Sequence, residues 1–400
     1  MRPRAAVIFD NLGPYHIARL SAAAAVADLL VIEIASRSVE YQWERTAEVP
    51  FRRVTLFDSE QVARASWRTL GRRLREVMAA TPLDVVFIPG WSGAHAAVGT
   101  WAAARLGLRT VVMSESQEID APRSTIKEWL KRHYVGLFDA ALVGGQTHVS
   151  YMRRLGMPAE RIFLGYDAVD NDYFARRADE VRATADAVRA RRGLPARYFM
   201  ASSRFVAKKN LPRLVQAYAR YRACCPEADR WDLVLLGDGA ARPQLEALVR
   251  REGLANCVHM PGFKQYDELP VYYGLAGAFL HLSTTEQWGL VVNEAMASGL
   301  PVVVSSRCGC ARDLVQAGVN GAVVDPYDVE SIAQAMRELS RPDIDRDAMG
   351  RAGRRIVAAW SPERFGMGFE GALLQALRDD GRPIGWIDAT MRRLISVGRP

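Results

Sequence analysis

Short apolar runs alternate with longer amphipathic segments along almost the whole chain, and that alternation constrains the fold more than any other feature. A short continuous apolar run suits a strand buried on both faces, whereas apolar residues three and four apart suit a helix that covers a sheet. The first half offers strands at residues 5–9, 29–34, 85–88, 110–113, 140–143 and 161–164, with helical patterns at 62–78 and 94–106. The second half repeats the plan with strands at 198–202, 233–237, 257–260, 278–282, 301–304 and 322–324, and helices at 210–224 and 329–339. Strand, crossover helix and parallel strand in succession predict an α/β chain of two Rossmann-like, doubly wound lobes facing a cleft.

At 400 residues the chain exceeds what one hydrophobic core usually spans, which agrees with two domains. The first lobe is placed at 1–175 and the second at 197–360. The arginine-rich, weakly apolar stretch 176–196 is read as the connector and hinge. A helix over 361–377 opens with Ser361 as N-cap and Pro362 at its first position. Beyond it, Trp386, Ile387, Met391, Leu394 and Ile395 are too apolar to hang free, so 361–400 is expected to return toward the N-terminal lobe.

Bulk properties exclude several classes. The 49% hydrophobic and 24% charged residues describe a packed globular enzyme rather than a disordered chain. The first apolar run stops at Asp10, too short for a secretory signal, and Asp28 and Glu33 interrupt the best spanning candidate at 22–35. A cytoplasmic protein is expected, with peripheral contact at the inner face of a membrane as an option. Five cysteines without CxxC pairs read as reduced thiols, and Cys308 and Cys310 as small loop residues. The net charge of +8 is nearly all arginine, with lysine only at 127, 131, 208, 209 and 264. These cations are not interleaved with aromatics on a recognised nucleic-acid module, so no nucleic-acid partner is expected. Arg64, Arg68, Arg72 and Arg75 form a stripe opposite Leu70, Leu74 and Val77; it is either a solvated helix face or a contact for anionic headgroups or a lipid-linked acceptor.

The segment GAFLHLSTTEQWGLVVNEAMASGLPVVVSS, from Gly277, carries the functional argument. A buried strand ends near His281, a loop holds Glu286, and a helix to about Ser298 holds Glu294. At the carboxyl end of a parallel strand such a loop lies where doubly wound sheets bind ligands, and the helix start offers backbone amides to an anion. Two carboxylates beside an anion make sense as acceptors of sugar and ribose hydroxyls, with the anion neutralised by other groups. Arg204 and Lys209, in the loop after the lobe's first strand, are placed to meet two phosphate oxygens and to stabilise charge on a leaving diphosphate. Lys208 is read as solvent-facing, and Trp288 is left open between packing and sugar stacking.

Together, SRFVAKKNL at 203–211, LVLLGDG at 233–239, the E-x7-E pair Glu286 and Glu294, GLPVVVSS at 299–306, ARDLV at 311–315 and GAVVDPYD at 321–328 resemble the retaining glycosyltransferases of family 4, of GT-B architecture. The resemblance covers most of 197–375. It implies transfer of a hexose from a UDP- or GDP-sugar to a hydroxyl acceptor, in polysaccharide, glycolipid or glycosylated metabolite synthesis. It further implies that Arg204 and Lys209 contact the diphosphate, Glu294 the ribose and Glu286 the transferred sugar. Gly289, Leu290 and Val291 would line phosphate and sugar through their backbones, and Gly262, Phe263 and Lys264 would receive the base. In the first lobe FDNLGPYH, at 9–16, matches the family's glycine-rich loop through Gly13 alone, with His16 either an acceptor or phosphate contact or a capping residue. Many members carry a histidine where this chain reads VVMSES, at 111–116; Glu115 takes that position, or His95 reaches in from GWSGAHAAV. Retention in the family is pictured as front-face displacement in which the departing diphosphate oxygen takes the acceptor's proton. No metal or other cofactor is expected, because no acidic pair of the DxD kind stands at a strand end. An epimerase or phosphorylase of the same architecture, or a non-catalytic nucleotide-binding subunit, is the alternative.

Overall fold

The computed structural model describes residues 2–36, 48–58, 61 and 65–378. Two compact units emerge, one comprising Met1–Ala168 together with the chain from Pro362, the other Val169–Ser361.

The first unit is built on a parallel sheet of seven strands. In chain order these are β1 (Arg4–Phe9), β2 (Asp28–Ala35), β3 (Arg52–Phe57), β4 (Val85–Pro89), β5 (Arg109–Ser114), β6 (Ala140–Val143) and β7 (Ile162–Leu164). They lie side by side as β3-β2-β1-β4-β5-β6-β7. Along β1 the pleat sends Ala6 and Ile8 into the core under the helices Trp67–Ala79 and Ala94–Arg105. It sends Ala5, Val7 and Phe9 to the opposite face, with Leu20, Phe365 and Phe369 from the helices Pro14–Val26 and Pro362–Leu377. Phe369 stacks on Phe87 at 4.0 Å between ring centroids. The helix opened by Pro362 is thus a layer of the first unit, while the apolar tail from Trp386 to Ile395 lies outside the described residues.

One strand was not expected. β3 reads RRVTLF, and only its last two residues are buried. As the sheet's edge it needs fewer apolar residues than a central strand, and the two leading arginines hide it from an apolar-run search.

The second unit has six parallel strands, β8 (Tyr198–Ser202), β9 (Asp232–Leu236), β10 (Val258–Gly262), β11 (Ala278–His281), β12 (Val302–Ser305) and β13 (Gly321–Val324). Their order is β10-β9-β8-β11-β12-β13. The helices Leu211–Cys224 and Val329–Ser340 cover one face, burying Leu214, Tyr218, Tyr221, Ile332 and Met336. The stretch read as a connector, 176–196, folds largely as helix: Asn171–Arg182 and Ala185–Arg192 both belong to this unit. The few apolar residues of these two helices suffice because they fall on inward faces, where Phe174, Ala178 and Val188 are buried. Asp179 then joins this segment to the helix Arg346–Val357 by accepting from Arg354 at 2.7 Å.

In each sheet the strand order reverses once, between β1 and β4 and between β8 and β11. There the two departing connections leave toward opposite faces and open a crevice at the carboxyl ends of the strands. Among the described residues no helix is long and apolar enough to cross a membrane.

Candidate functional site

The crevice of the second unit is assembled from the ends of β8 and β11. After Ser202 the chain turns over the end of β9: the Ser203 amide donates to the Leu236 carbonyl at 3.0 Å, and the Phe205 amide to the Asp238 carbonyl at 2.7 Å. The LLGDG turn is the floor of this loop, and it fits because Gly237 lacks a side chain; a Cβ there would stand 1.9 Å from the Ser203 carbonyl oxygen. Arg204, partly exposed, is carried between these two anchored residues. A short turn, Ala207–Lys209, leads to Asn210, which sits at φ 59° with its side chain buried. Its amide donates to the Leu282 carbonyl at 3.1 Å and to the Pro326 carbonyl at 2.7 Å, tying the loop to the end of β11. The Thr284 amide donates to the Lys208 carbonyl at 2.8 Å. The Lys208 side chain points to solvent, as expected.

That framework brings Lys209 and Glu286 together. The Lys209 ammonium donates to Oε2 of Glu286, which also accepts from the Ser283 hydroxyl at 3.0 Å and from Nε2 of His281 at 3.0 Å. Burial alone would raise the Glu286 carboxyl, but the His281 hydrogen bond and the charge of Lys209 outweigh it and hold the group far below its usual range. Burial pushes the His281 imidazole down, against the pull of Glu286. The site therefore holds an ionised carboxylate, an ammonium and an imidazole whose Nε2–H faces the carboxylate. Gly289 closes the loop at φ 105°, a left-handed conformation that favours glycine, and a Cβ there would lie 3.3 Å from Nε2 of His281. On the other side the Gly309 amide donates to the Glu286 carbonyl at 3.0 Å and the Cys310 amide to the Trp288 carbonyl at 3.2 Å. Cys308 and Cys310 are buried thiols, in keeping with their reading as small loop residues.

The helix Leu290–Ala297 starts at Gly289, so the amides of Leu290 and Val291 stand at its N-terminus beside Glu286. Glu294 lies one turn further and points inward, 6% exposed, where its Oε2 accepts from the Tyr273 hydroxyl at 2.8 Å. Burial raises its carboxyl to about 7, with the Tyr273 hydrogen bond opposing. Its ionisation is therefore poised near neutrality, unlike that of Glu286. Trp288, left open between packing and sugar stacking, is packing: it is 1% exposed and donates from Nε1 to Asn293 at 2.9 Å. Gly262 ends β10 and accepts from the Gly237 amide at 3.0 Å, so the loop carrying Phe263 and Lys264 begins beside the β9 turn. The Lys264 ammonium lies 5.8 Å from the Tyr272 ring centroid.

His281, Asn210 and Tyr273 belong to this site and were not singled out from sequence. A histidine at the end of the apolar run AFLH is the one legible signal among them, since a polar side chain buried at a strand end requires partners.

In the first unit the four remaining candidates separate. Gly13 caps the helix Pro14–Val26 at φ −102°, an ordinary conformation, and its amide donates to Nδ1 of His16 at 3.0 Å. The His16 ring packs on Phe9 and Tyr15, and burial pushes its pKa well below the usual value, so it serves the helix start as a neutral cap. Glu115 follows β5, where its charge, after burial itself, helps raise the Asp167 carboxyl well above the usual range. His95, at the start of the helix after β4, pairs through Nδ1 with Asp10 at 2.7 Å across the β1/β4 crevice. Arg68, Arg72 and Arg75 are exposed while Leu70, Leu74 and Met78 are buried; Arg64 lies outside the described residues. Among the described residues no three His, Cys, Asp or Glu side chains gather as a metal site.

Comparison with known proteins adds a family match and distant kin. The family model for glycosyl transferases group 1 matches residues 188–356, within the second unit. Alpha-D-kanosaminyltransferase of Streptomyces kanamyceticus is 31% identical over 246 residues, covering 58% of this chain and 59% of that protein. A GDP-mannose-dependent alpha-(1-6)-phosphatidylinositol monomannoside mannosyltransferase of Mycobacterium tuberculosis is 31% identical over 312 residues, covering 73% of this chain and 75% of its own length. Among solved structures, Anabaena HepE in complex with UDP superimposes with a TM-score of 0.68 at 18% identity, over 92% of this chain and 98% of that one. At that identity the likeness is one of fold.

Proposed function

The chain belongs to the glycosyl transferases group 1 family, and on that premise we propose that it moves a hexose from a UDP- or GDP-sugar to a hydroxyl acceptor with retention of configuration. The observation that carries the reading is the convergence of Lys209, Glu286 and the start of the helix Leu290–Ala297 on one crevice at the β8/β11 switch point. The donor's diphosphate lies against the amides of Leu290 and Val291 and between Arg204 and Lys209. Two cations against one carboxylate leave a positive balance, and the helix start adds its partial charge. Glu286, ionised and able only to accept, takes hydroxyl hydrogen bonds from the transferred sugar. Glu294 takes the ribose, and the loop Gly262, Phe263 and Lys264 takes the base.

As the bond from sugar to diphosphate breaks, negative charge builds on the leaving oxygen, and Arg204, Lys209 and the helix amides stabilise it where it develops. The same oxygen accepts the proton of the incoming hydroxyl on the face it leaves, so the new bond forms with the old configuration. Alignment of the two reactants then supplies much of the rate. Arg204 and Lys209 do the neutralising that a divalent ion would otherwise do, which makes transfer independent of metal. A lipid-linked acceptor at an anionic membrane is supported by the similarity to a phosphatidylinositol monomannoside mannosyltransferase and by the exposed Arg68, Arg72 and Arg75 face.

A thermal-shift series over UDP, GDP and their sugars tests the donor half, since a ligand stabilises the fold in proportion to its affinity. One nucleotide is expected to raise the melting temperature in the wild type and to lose that effect in Lys209→Ala. If neither UDP nor GDP shifts the wild type, the proposal fails. Retention is checked by the anomeric configuration of the product.

A further inference from the structure

The crevice of the first unit contains residues for which donor chemistry has no use. Asp10 follows β1 and His95 follows β4, and the two meet at 2.7 Å through Nδ1 of the imidazole. An ionised carboxylate only accepts, so in the neutral ring Nδ1 carries the hydrogen and Nε2 keeps its lone pair. The ring is folded back on the chain: a Cβ on Gly93 would stand 2.3 Å from Cε1 of His95, so position 93 tolerates nothing larger than glycine while the pair exists. A backbone cleared for one imidazole and a carboxylate that orients it describe a side chain held ready rather than left at the surface.

Beside this pair lies a cavity of about 190 Å³. Among the described residues Asp10 and His95 are its polar lining, and Ile34, Phe57, Leu70 and Trp67 supply most of the rest. The first three of these are buried, but the Trp67 side chain is 60% exposed, a large ring left in water at the rim of an apolar hollow. A dry apolar cavity of about 150 Å³ suffices for a benzene-sized guest. Among the described lining residues only Asp10 and His95 are polar, so the hollow suits neither a diphosphate, which Asp10 would repel, nor a free sugar with hydroxyls all round.

We infer that this hollow seats an apolar portion of the acceptor, hydrocarbon or aromatic, while His95 accepts a hydrogen bond from the acceptor's hydroxyl and Asp10 positions His95. The assignment rests on the sugar-transfer reading and deepens it: the acceptor is amphiphilic, a hydroxyl next to an apolar group.

The test uses the full chain and three probes below their micellar concentrations, methyl, hexyl and phenyl β-D-glucoside, with binding read by calorimetry. Hexyl or phenyl glucoside is expected to bind at least about tenfold more tightly than methyl glucoside, the gain that burying a few methylenes provides. A preference for hexyl identifies a hydrocarbon acceptor and a preference for phenyl an aromatic one. Trp67→Ala, a substitution at an exposed position, is expected to abolish the gain while leaving the nucleotide thermal shift as it is in the wild type. His95→Ala is expected to weaken all three glucosides, with partial recovery in His95→Gln, whose amide can again meet a hydroxyl. Equal affinity for the three probes, or a gain that survives Trp67→Ala, overturns the inference. A nucleotide shift without apolar preference removes this inference alone, whereas apolar preference without any nucleotide shift overturns the sugar-transfer reading and with it the guest's assignment as an acceptor.

Discussion

In the second unit the crevice at the strand-order reversal is filled with polar groups: Lys209 and His281 share one carboxylate oxygen of Glu286, and a helix starts beside them. In the first unit the crevice at the equivalent reversal holds one Asp10–His95 pair beside an apolar hollow. Topology supplies the location in both, since loops leaving two adjacent strands toward opposite faces cannot fill the space between them. The side chains supply the chemistry, and on the proposed reading they divide the labour of a transfer reaction: an anionic donor on one sheet, a hydroxyl carried by an apolar body on the other.

The comparison breaks most visibly at Lys209. On the proposed reading Lys209→Ala removes a cation from the leaving diphosphate and leaves Glu286 buried without its ammonium partner, so the transfer rate is expected to fall on the order of 10²–10³-fold. Steady-state kinetics with the matched donor checks this, and His95→Ala, measured alongside, should keep the nucleotide thermal shift.

Glu294 gives the next effect, through pH. Its folded value, about 7, stands above the ordinary 4.5, so the folded chain holds a proton that the unfolded chain has released between those values. The stability this group contributes is full below pH 4.5, declines as pH rises and is lost above about 7. That interval is worth at most about 3 kcal/mol. Glu294→Gln should therefore flatten the stability profile between pH 5 and pH 8, as measured by urea unfolding; an unchanged slope would sink the assignment.

Two glycines sharpen the contrast further. Gly289→Ala forces a side chain into a left-handed backbone and toward His281, and is expected to cost about 1–3 kcal/mol in a denaturant titration. Gly93 has an ordinary backbone, φ −101°, so Gly93→Ala should cost less than about 1 kcal/mol, displacing only the His95 ring. Its signature is expected in acceptor affinity, with donor affinity unchanged.

The strand–helix alternation was legible because it is local: a period of two or 3.6 residues is written within each short window. β3 escaped because RRVTLF, an edge strand, lacks the continuous apolar run. The segment 176–196 escaped because three buried residues, Phe174, Ala178 and Val188, anchor helices whose composition is otherwise that of a linker. Glu286 and Lys209 were recoverable from the order of motifs. Asn210 was visible inside its motif, but its task of holding Leu282 and Pro326 was not, since those partners lie 72 and 116 positions away.

By itself the amino-acid sequence determined the α/β class, nearly all the strands and the residue types of the candidate site, since these depend on spacing along the chain. Only the tertiary structure decided that Lys209 meets Glu286 across 77 positions, that Glu294 is poised near neutrality and Glu286 is not, and that His95 stands over Gly93 beside an apolar hollow. Those outcomes depend on which strands become neighbours and how much water remains around each group, and both are properties of the packed chain, beyond any local stretch of it.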